Sequence, residues 1–189
     1  MARLRTFIGV DIGSAIRDRA VALQERLARA TEDVKWVERD NLHVTLLFLG
    51  EVEDRNIPDI CRVVSEQTEK HSAFPMSIER AGSFPNARRP RILWIGIGEG
   101  TQELCALHDA LEPPLMELGC YRREERKYTP HVTLGRVRSA RPPDLLAEAL
   151  SKQAGWQGGQ TTVTEIQVMS SELTPQGPAY TILSRAQLA

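Results

Sequence analysis

His43-Val44-Thr45-Leu46 recurs unchanged as His131-Val132-Thr133-Leu134, 88 residues further along the chain. A single four-residue match could arise by chance, so the sequence around each copy decides its meaning. Apolar patterns near the two copies also recur at about this offset, and they recur in the same order. The matching segments are 4–10 with 92–98, 14–30 with 102–118, 53–70 with 142–154, and 75–81 with 163–169. This agreement predicts an internal duplication.

Each predicted unit has the order strand, helix, motif strand, helix, strand, and the units span about residues 3–81 and 91–169. Helical spacing of apolar residues is interrupted in the second unit by Pro113-Pro114. Two apolar runs joined through Pro175-Gln176-Gly177-Pro178 predict a closing hairpin over 162–185. The alternation of strands and helices favours an α/β or α+β class, and no Ser- or Gly-rich linker separates the units. We therefore expect residues 1–189 to form a single domain with two lobes.

Composition excludes several classes of protein. With 41% apolar and 26% charged residues, the chain of 189 residues is typical of a globular protein with a real core. No apolar run approaches the roughly 18 residues of a membrane-spanning helix. An acid as early as Asp11 argues against an export signal, and three cysteines without a close-spaced pair favour a reducing, cytoplasmic location.

The net charge of −1 argues against a general nucleic-acid binder, but the basic residues are clustered. Four arginines and no acid occur between residues 80 and 91, and seven basic residues face two acids between 122 and 141. Such clusters are usually solvated surface. The second cluster flanks the repeated motif, which makes a phosphate-facing patch a reasonable hypothesis.

The motif places polar side chains on one face of each strand. His43 and Thr45 share a face, while Leu42, Val44, Leu46 and Phe48 are predicted on the other. The same alternation puts His131 and Thr133 together. If a pseudo-twofold axis relates the units, the two imidazoles meet in one cleft. Two histidines can then act as general acid and general base, and the threonine hydroxyls can donate to an anion. A phosphodiester suits this set.

Several alternatives remain open from the residues alone. A single His-x-Thr on an apolar strand is more often structural than catalytic, and only the duplication favours catalysis. A metal site is disfavoured because two histidines lack the third protein ligand of typical catalytic zinc sites. A protein that binds RNA ends or nucleotides without turnover, or an interaction protein with core histidines, would also fit. His71 and His108 are expected on the surface of helical segments.

Three longer strings include or accompany the motifs. They run from Trp36 to Gly50, from Phe84 to Trp94, and from Pro130 to Arg136. Together they resemble a known family, the RNA 2′,3′-cyclic phosphodiesterase (2′-5′ RNA ligase) branch of the 2H phosphoesterase superfamily, and the resemblance covers essentially the whole chain. It implies an α+β fold of two pseudo-symmetric lobes, with antiparallel-rich sheets flanked by helices around a central groove.

The resemblance implies hydrolysis of a terminal 2′,3′-cyclic phosphate on RNA to a 2′-phosphomonoester, without a metal or other cofactor. It implies that His43 donates a proton to the leaving oxygen and that His131 accepts one from water. Thr45, Thr133 and Arg136 would bind the phosphate. Strand alternation puts Arg136 on the opposite face from His131, unless Gly135 supplies a bulge.

Related activities remain alternatives, namely 2′-5′ RNA ligation and hydrolysis of small cyclic nucleotides. The expected partners are RNA 3′ ends or nucleotides that carry a cyclic phosphate, with no membrane, and the chain is expected to be a cytoplasmic monomer. Phe48, Phe84 and Trp94 are candidates for stacking on a terminal base, although the core is the more common place for each of them.

Overall fold

The structure is a computed structural model that describes residues 2–139, 144–175 and 177–189. The start of the helix predicted over 142–154, Arg141 of the second basic cluster and Gln176 of the predicted turn lie outside these ranges. Within them the chain forms α1 (Ser14–Ala28), α2 (Ile57–Thr68), α3 (Thr101–Glu117) and α4 (Asp144–Ser151). The strands are β1 (Arg3–Asp11), β2 (Val34–Trp36), β3 (His43–Glu53), β4 (Phe74–Phe84), β5 (Ile92–Ile97), β6 (His131–Val137), β7 (Gln157–Val163), β8 (Glu165–Thr174) and β9 (Gly177–Gln187).

The described strands form one continuous sheet in the order β7-β4-β5-β6-β3-β1-β8-β9, with β2 paired to β6. Every pairing is antiparallel. The two motif strands, β3 and β6, meet in the middle through the pair Val44 and Val132. The predicted α+β class with antiparallel strands and flanking helices is confirmed, and the two expected sheets are halves of a single one.

The last strand of each predicted unit lies in the opposite half of the sheet. β4 follows the first motif in sequence but pairs with β5, next to the second motif strand. β8 follows the second motif but pairs with β1, next to the first motif strand. A predicted repeat unit therefore does not coincide with one half of the sheet.

The helix α3 runs through the point where an interruption was predicted, so that prediction is wrong. Pro113 and Pro114 lie inside it. Each proline removes one helical N–H donor, at a cost of about 3 kcal/mol in an isolated helix. The leucines of α3 are all 0% exposed, and their packing against the sheet outweighs this local cost. These leucines are Leu104, Leu107, Leu111 and Leu115.

The segment before the hairpin also differs from expectation. The first run of the hairpin predicted over 162–185 is divided at Thr164 between β7 and β8, which pair with opposite halves of the sheet. β7 has the sequence Gln-Gly-Gly-Gln-Thr-Thr-Val, whose mostly small and polar residues give little alternation of apolar and polar positions. β8 and β9 form an antiparallel hairpin with bounds shifted towards the C-terminus.

Both motif strands carry a bulge at the same place in the motif. In the pairing of β1 with β3, Ile8 faces Leu47 and Gly9 faces Thr45, which leaves Leu46 without a partner. The pairing of β5 with β6 leaves Leu134 out in the same way. A bulge inserts one residue and resets the alternation of side chains.

The bulges return two side chains to the face of the motif histidines, namely Phe48 and Arg136. The prediction that Phe48 shares the buried face of Val44 is therefore wrong, because Leu46 and Leu47 are both buried. The bend that Arg136 needs does occur, at Leu134 and Gly135.

Gly135 has no room for a side chain because β2 packs against it. A Cβ atom there would lie 2.7 Å from Val34 Cγ1, 3.0 Å from Trp36 Cε3 and 3.1 Å from the carbonyl oxygen of Lys35. The close approach of β2 thus depends on glycine at this position.

We expect Gly135→Ala to lower the free energy of unfolding by about 1–3 kcal/mol, the usual cost of overpacking. Chemical denaturation measures this. Gly155→Ala is the matched control, since a Cβ there meets no described atom within 4 Å. Equal stability of the two variants would contradict the proposed contact between β2 and Gly135.

Candidate active site

The central strand pair brings the two motifs side by side. Val44 lies opposite Val132, and both side chains are 0% exposed on the core face. In an antiparallel pair, the residue after one partner lies opposite the residue before the other. The register therefore sets His43 opposite Thr133 and Thr45 opposite His131, on the face away from the core.

Each motif imidazole is oriented by the backbone two residues before it. Nδ1 of His43 lies 2.7 Å from the carbonyl oxygen of Asn41, and Nδ1 of His131 lies 2.7 Å from that of Thr129. A carbonyl oxygen can only accept, so in each ring the proton sits on Nδ1. Both Nε2 atoms are then left for the cleft, and that of His43 lies 2.8 Å from Thr45 Oγ1.

Burial lowers the pKa of both motif histidines and is the largest influence on each. The hydrogen bond from Nδ1 to the backbone opposes this effect in both cases. The positive charges of Arg17 and of His131 lower the pKa of His43 further, and that of Arg136 lowers the pKa of His131. The pKa of each ring therefore lies below its ordinary value, which favours the neutral imidazole.

Aromatic rings flank each imidazole on the cleft side. The Phe7 ring lies 4.8 Å from that of His43, and Tyr180 approaches the same imidazole edge-on at 5.5 Å. The Phe84 ring meets His131 edge-on at 5.1 Å and in turn contacts Trp94. These ring contacts contribute to the burial of the two imidazoles.

A cavity of about 320 Å³ opens over the motif strands. It brings together four of the predicted site residues, His43, Thr45, Thr133 and Arg136. His131 is half-buried beside it, next to Thr133 on the same strand face, and does not line it directly. Phe48 also lines the cavity, is 40% exposed, and lies under the Arg5 guanidinium at 4.7 Å.

Three residues that the sequence did not predict hold parts of the site in position, namely Asn41, Tyr128 and Gln24. Asn41 orients His43 through its carbonyl and also donates its amide to the Pro178 carbonyl at 2.7 Å, which ties the β8–β9 turn to the cleft. The hydroxyl of Tyr128 donates to the Thr45 carbonyl at 2.9 Å. His108 stacks on Tyr128 at 4.3 Å with its side chain 12% exposed, so its expected surface position is wrong.

The third, Gln24, holds the bulge of β6 in place. Its side chain is buried in α1, and its amide lies 2.9 Å from both the Val37 and the Leu134 carbonyl oxygens. The Leu134 carbonyl also accepts from the Val37 N–H at 2.8 Å. One signal was available in the sequence, because Gln24 is a polar residue four positions after the buried Ala20 in an apolar stripe.

Metal-ligating side chains do not cluster in the described ranges. No three His, Cys, Asp or Glu side chains within residues 2–139, 144–175 and 177–189 lie close enough to hold a metal ion together. The expectation that the chemistry needs neither metal nor cofactor stays a prediction.

A family comparison agrees with the strings on which the resemblance rests. Residues 15–175 match the model of the 2′-5′ RNA ligase superfamily. The chain belongs to this superfamily. It is 37% identical to the RNA 2′,3′-cyclic phosphodiesterase of Methanothermobacter thermautotrophicus, with 95% of this chain and 96% of that protein covered. The predicted family is therefore confirmed, and so is the prediction that the chain is an enzyme.

Solved structures show the same fold in other members of this superfamily. TT0787 of Thermus thermophilus superposes with a TM-score of 0.82 at 25% identity, covering 97% of both chains. E. coli LigT complexed with 3′-AMP superposes with a TM-score of 0.78 at 25% identity, covering 99% of both.

The expected cellular setting is tested only in part. None of the helices in the described ranges is long and apolar enough to cross a membrane. The cytoplasmic location and the monomeric state stay predictions.

We expect the pKa of both motif imidazoles, followed by NMR titration, to lie below about 6.5, the ordinary value for histidine. The folded protein then binds fewer protons than the unfolded chain between the folded and unfolded pKa values, so stability falls as the pH drops below about 6.5. Denaturation at several pH values measures this fall. The His43→Ala/His131→Ala variant should lose most of it, and an unchanged pH dependence would contradict the burial of these rings.

Gln24→Met should destabilise the protein by about 1–3 kcal/mol, because two backbone carbonyls lose a buried donor. It should also slow turnover, because the bulge that directs Arg136 into the cleft is no longer held. Denaturation and initial rates measure the two effects. Gln102→Met, at an exposed position of α3, is the control. Wild-type turnover in Gln24→Met would show that the bulge does not need this amide.

Proposed function

We propose that this enzyme hydrolyses the 2′,3′-cyclic phosphate at the 3′ end of RNA and leaves a 2′-phosphate. The observation that carries the proposal is the paired orientation of the two imidazoles. The two motif strands lie side by side in the sheet, and in each ring Nδ1 is held by a backbone carbonyl, which leaves Nε2 to carry the proton transfer. Nε2 of His43 lies 2.8 Å from the hydroxyl of Thr45 in the same motif. A phosphodiester between them can receive one proton and give up another in a single step.

The proposed reaction begins with water held by Nε2 of His131. This nitrogen takes a proton as the water oxygen attacks phosphorus, and the bond from phosphorus to the 3′ oxygen breaks. Nε2 of His43 donates a proton to that oxygen, which leaves as the 3′ hydroxyl. A base must be neutral, and the neighbouring Arg136 favours neutral His131 by lowering its pKa. The negative phosphate favours the protonated form of His43 once substrate is bound.

The non-bridging phosphate oxygens need donors that persist as charge develops. Thr45 and Thr133 lie on the same strand face as the imidazoles and line the cavity. Arg136 lines it as well and is exposed at its edge. We assign the phosphate-binding role to these three residues, with Arg136 supplying the positive charge.

The substrate class is supported by the named relatives. The protein of Methanothermobacter thermautotrophicus, related over nearly its whole length, is named RNA 2′,3′-cyclic phosphodiesterase. The LigT structure holds 3′-AMP, which is a nucleotide carrying a 3′ phosphate. A ligase would use the 5′ hydroxyl of a second RNA in place of water, in the same cleft, and a small cyclic nucleotide would need only the cavity.

Product analysis of an oligonucleotide ending in a 2′,3′-cyclic phosphate tests the proposal. The wild type should release a 2′-phosphate end. His43→Ala and His131→Ala should each reduce kcat by about 10²–10⁴, the usual contribution of a positioned proton-transfer group. The double variant should lose little more than either single one, since the two groups act together. His71→Ala, in the turn after α2, is the control.

The pH profile and a chelator separate the proposed mechanism from its rivals. One charged and one neutral imidazole give a bell-shaped rate profile with two macroscopic pKa values. A chelator should leave the rate unchanged. Inhibition by chelator with recovery on adding zinc would establish a metal mechanism instead. Full activity in either single-histidine variant would show that the motif is structural. A 3′-phosphate product would contradict the proposed cleavage of the bond from phosphorus to the 3′ oxygen.

A further inference from the structure

The two rims of the cleft differ in charge. One side, hereafter the basic rim, begins at Lys35, which lines the cavity, and continues beyond it through the β4–β5 loop and the end of β6. Its other members are Arg88, Arg89, Arg91 and Arg138. The three arginines of the loop and Arg138 are exposed. The other rim is the turn of the β8–β9 hairpin, where Leu173 is 72% exposed and Glu172 is an exposed acid. Arg5 lines the cavity on the side of this hairpin and lies over the Phe48 ring. The larger group of cations is therefore on the first rim, with one cation and one acid on the second.

The β4–β5 loop begins and ends at the cleft. Phe84, the residue before the loop, has its ring centre 5.1 Å from that of His131. Ile92, the residue after the loop, pairs with both Phe84 and Arg136 in the sheet. The Arg91 N–H closes the loop by donating to the Phe84 carbonyl at 2.8 Å. The loop arginines thus continue outward from the cation of the proposed phosphate site.

Local hydrogen bonds give the loop a defined shape. The Asn86 side-chain oxygen accepts from the backbone N–H groups of Arg88 and Arg89, both at 3.1 Å. The Arg91 guanidinium donates to the Ser139 carbonyl at 3.1 Å, which links the loop to the strand end after β6. The Arg88 and Arg89 side chains project from this frame, so a bound strand does not have to order the backbone first.

The positive charge of the basic rim is not neutralised within the part of the chain that the structure describes. The ion pairs found there involve other basic residues. Two acids lie close by, since Glu38 lines the cavity and the Asp33 carbonyl accepts from the Arg138 N–H. Five cations against these two carboxylates leave an excess of positive charge at this edge.

We infer that the basic rim binds the phosphodiester backbone of the RNA strand that precedes the terminal nucleotide. The inference rests on the proposed function, because a cyclic phosphate held between the motif histidines forces the remaining strand to cross one rim. Phosphate contacts of this kind position a strand without reading its sequence. The rim therefore favours RNA ends over mononucleotides while tolerating many sequences.

The test compares two substrates that carry the same reacting group, a mononucleotide 2′,3′-cyclic phosphate and a hexanucleotide ending in one. For Arg88→Ala/Arg89→Ala, the ratio of hexanucleotide to mononucleotide kcat/KM should fall by about tenfold at low salt. The slope of log affinity for the hexanucleotide against log salt should become shallower by about 1.4, since each phosphate contact on a single strand contributes about 0.7.

Arg26→Ala/Arg29→Ala is the matched control, because it removes two exposed arginines from the last turn of α1 and the residue that caps it. It should leave both the ratio and the slope at their wild-type values. An unchanged ratio in Arg88→Ala/Arg89→Ala would overturn the inference, and so would an equal loss in the two double variants. An equal fall in kcat/KM for both substrates would show instead that these arginines bind the reacting phosphate.

Failure of the proposed function can be recognised separately. If the wild type hydrolyses neither substrate, the proposed function fails. Binding of a hexanucleotide with a 3′-phosphate end, measured by fluorescence anisotropy over the same salt range, still decides the role of the rim. A slope that differs between the two double variants supports the rim, and identical slopes refute it.

Discussion

The pairing of β3 with β6 is the contact on which the rest of the cleft depends. It is short, a single registered pair of valines, yet it lies where the two halves of the sheet join. The valines face the core and are fully buried, so the pair is held by the same apolar packing that covers the sheet with helices. Because side chains alternate, burial of the valines sends the flanking histidines and threonines into the cleft. The packing of the core therefore also determines the geometry of the site.

The bulges then make two similar halves chemically different. Each motif strand inserts one leucine at the same place, so the next outward position returns to the cleft in both. In one half that position holds Phe48, lying under Arg5, and in the other it holds Arg136. Similar backbones therefore present an aromatic ring covered by a guanidinium from one strand and a guanidinium directly from the other. The two halves of the cleft thus differ in their side chains although their backbones match.

Much of this arrangement follows from the sequence, because the repeated motif carries it. The strand, the polar face and the candidate acid and base can be found from two four-residue strings and their offset. Alternation alone could not place Phe48, since a bulge leaves no distinctive residue at Leu46. The interruption expected at Pro113-Pro114 did not occur, because the burial of four leucines stabilises α3 by more than the two prolines destabilise it. The apolar stripe of α1 indicates that Gln24 is buried, but not that it binds Leu134, which is 110 residues away in the chain.

The exchange of strands between the two halves makes the chain indivisible. β4 completes the sheet around the second motif, and β8 completes the sheet around the first. A fragment ending after β4 would carry that strand without its partners, and the first motif would have an open edge beside β1. Open edges of this kind pair readily with other chains. If the two units descend from one, a solitary ancestor would have closed its sheet by trading strands with a second copy of itself, and gene fusion would have turned that dimer into one polypeptide.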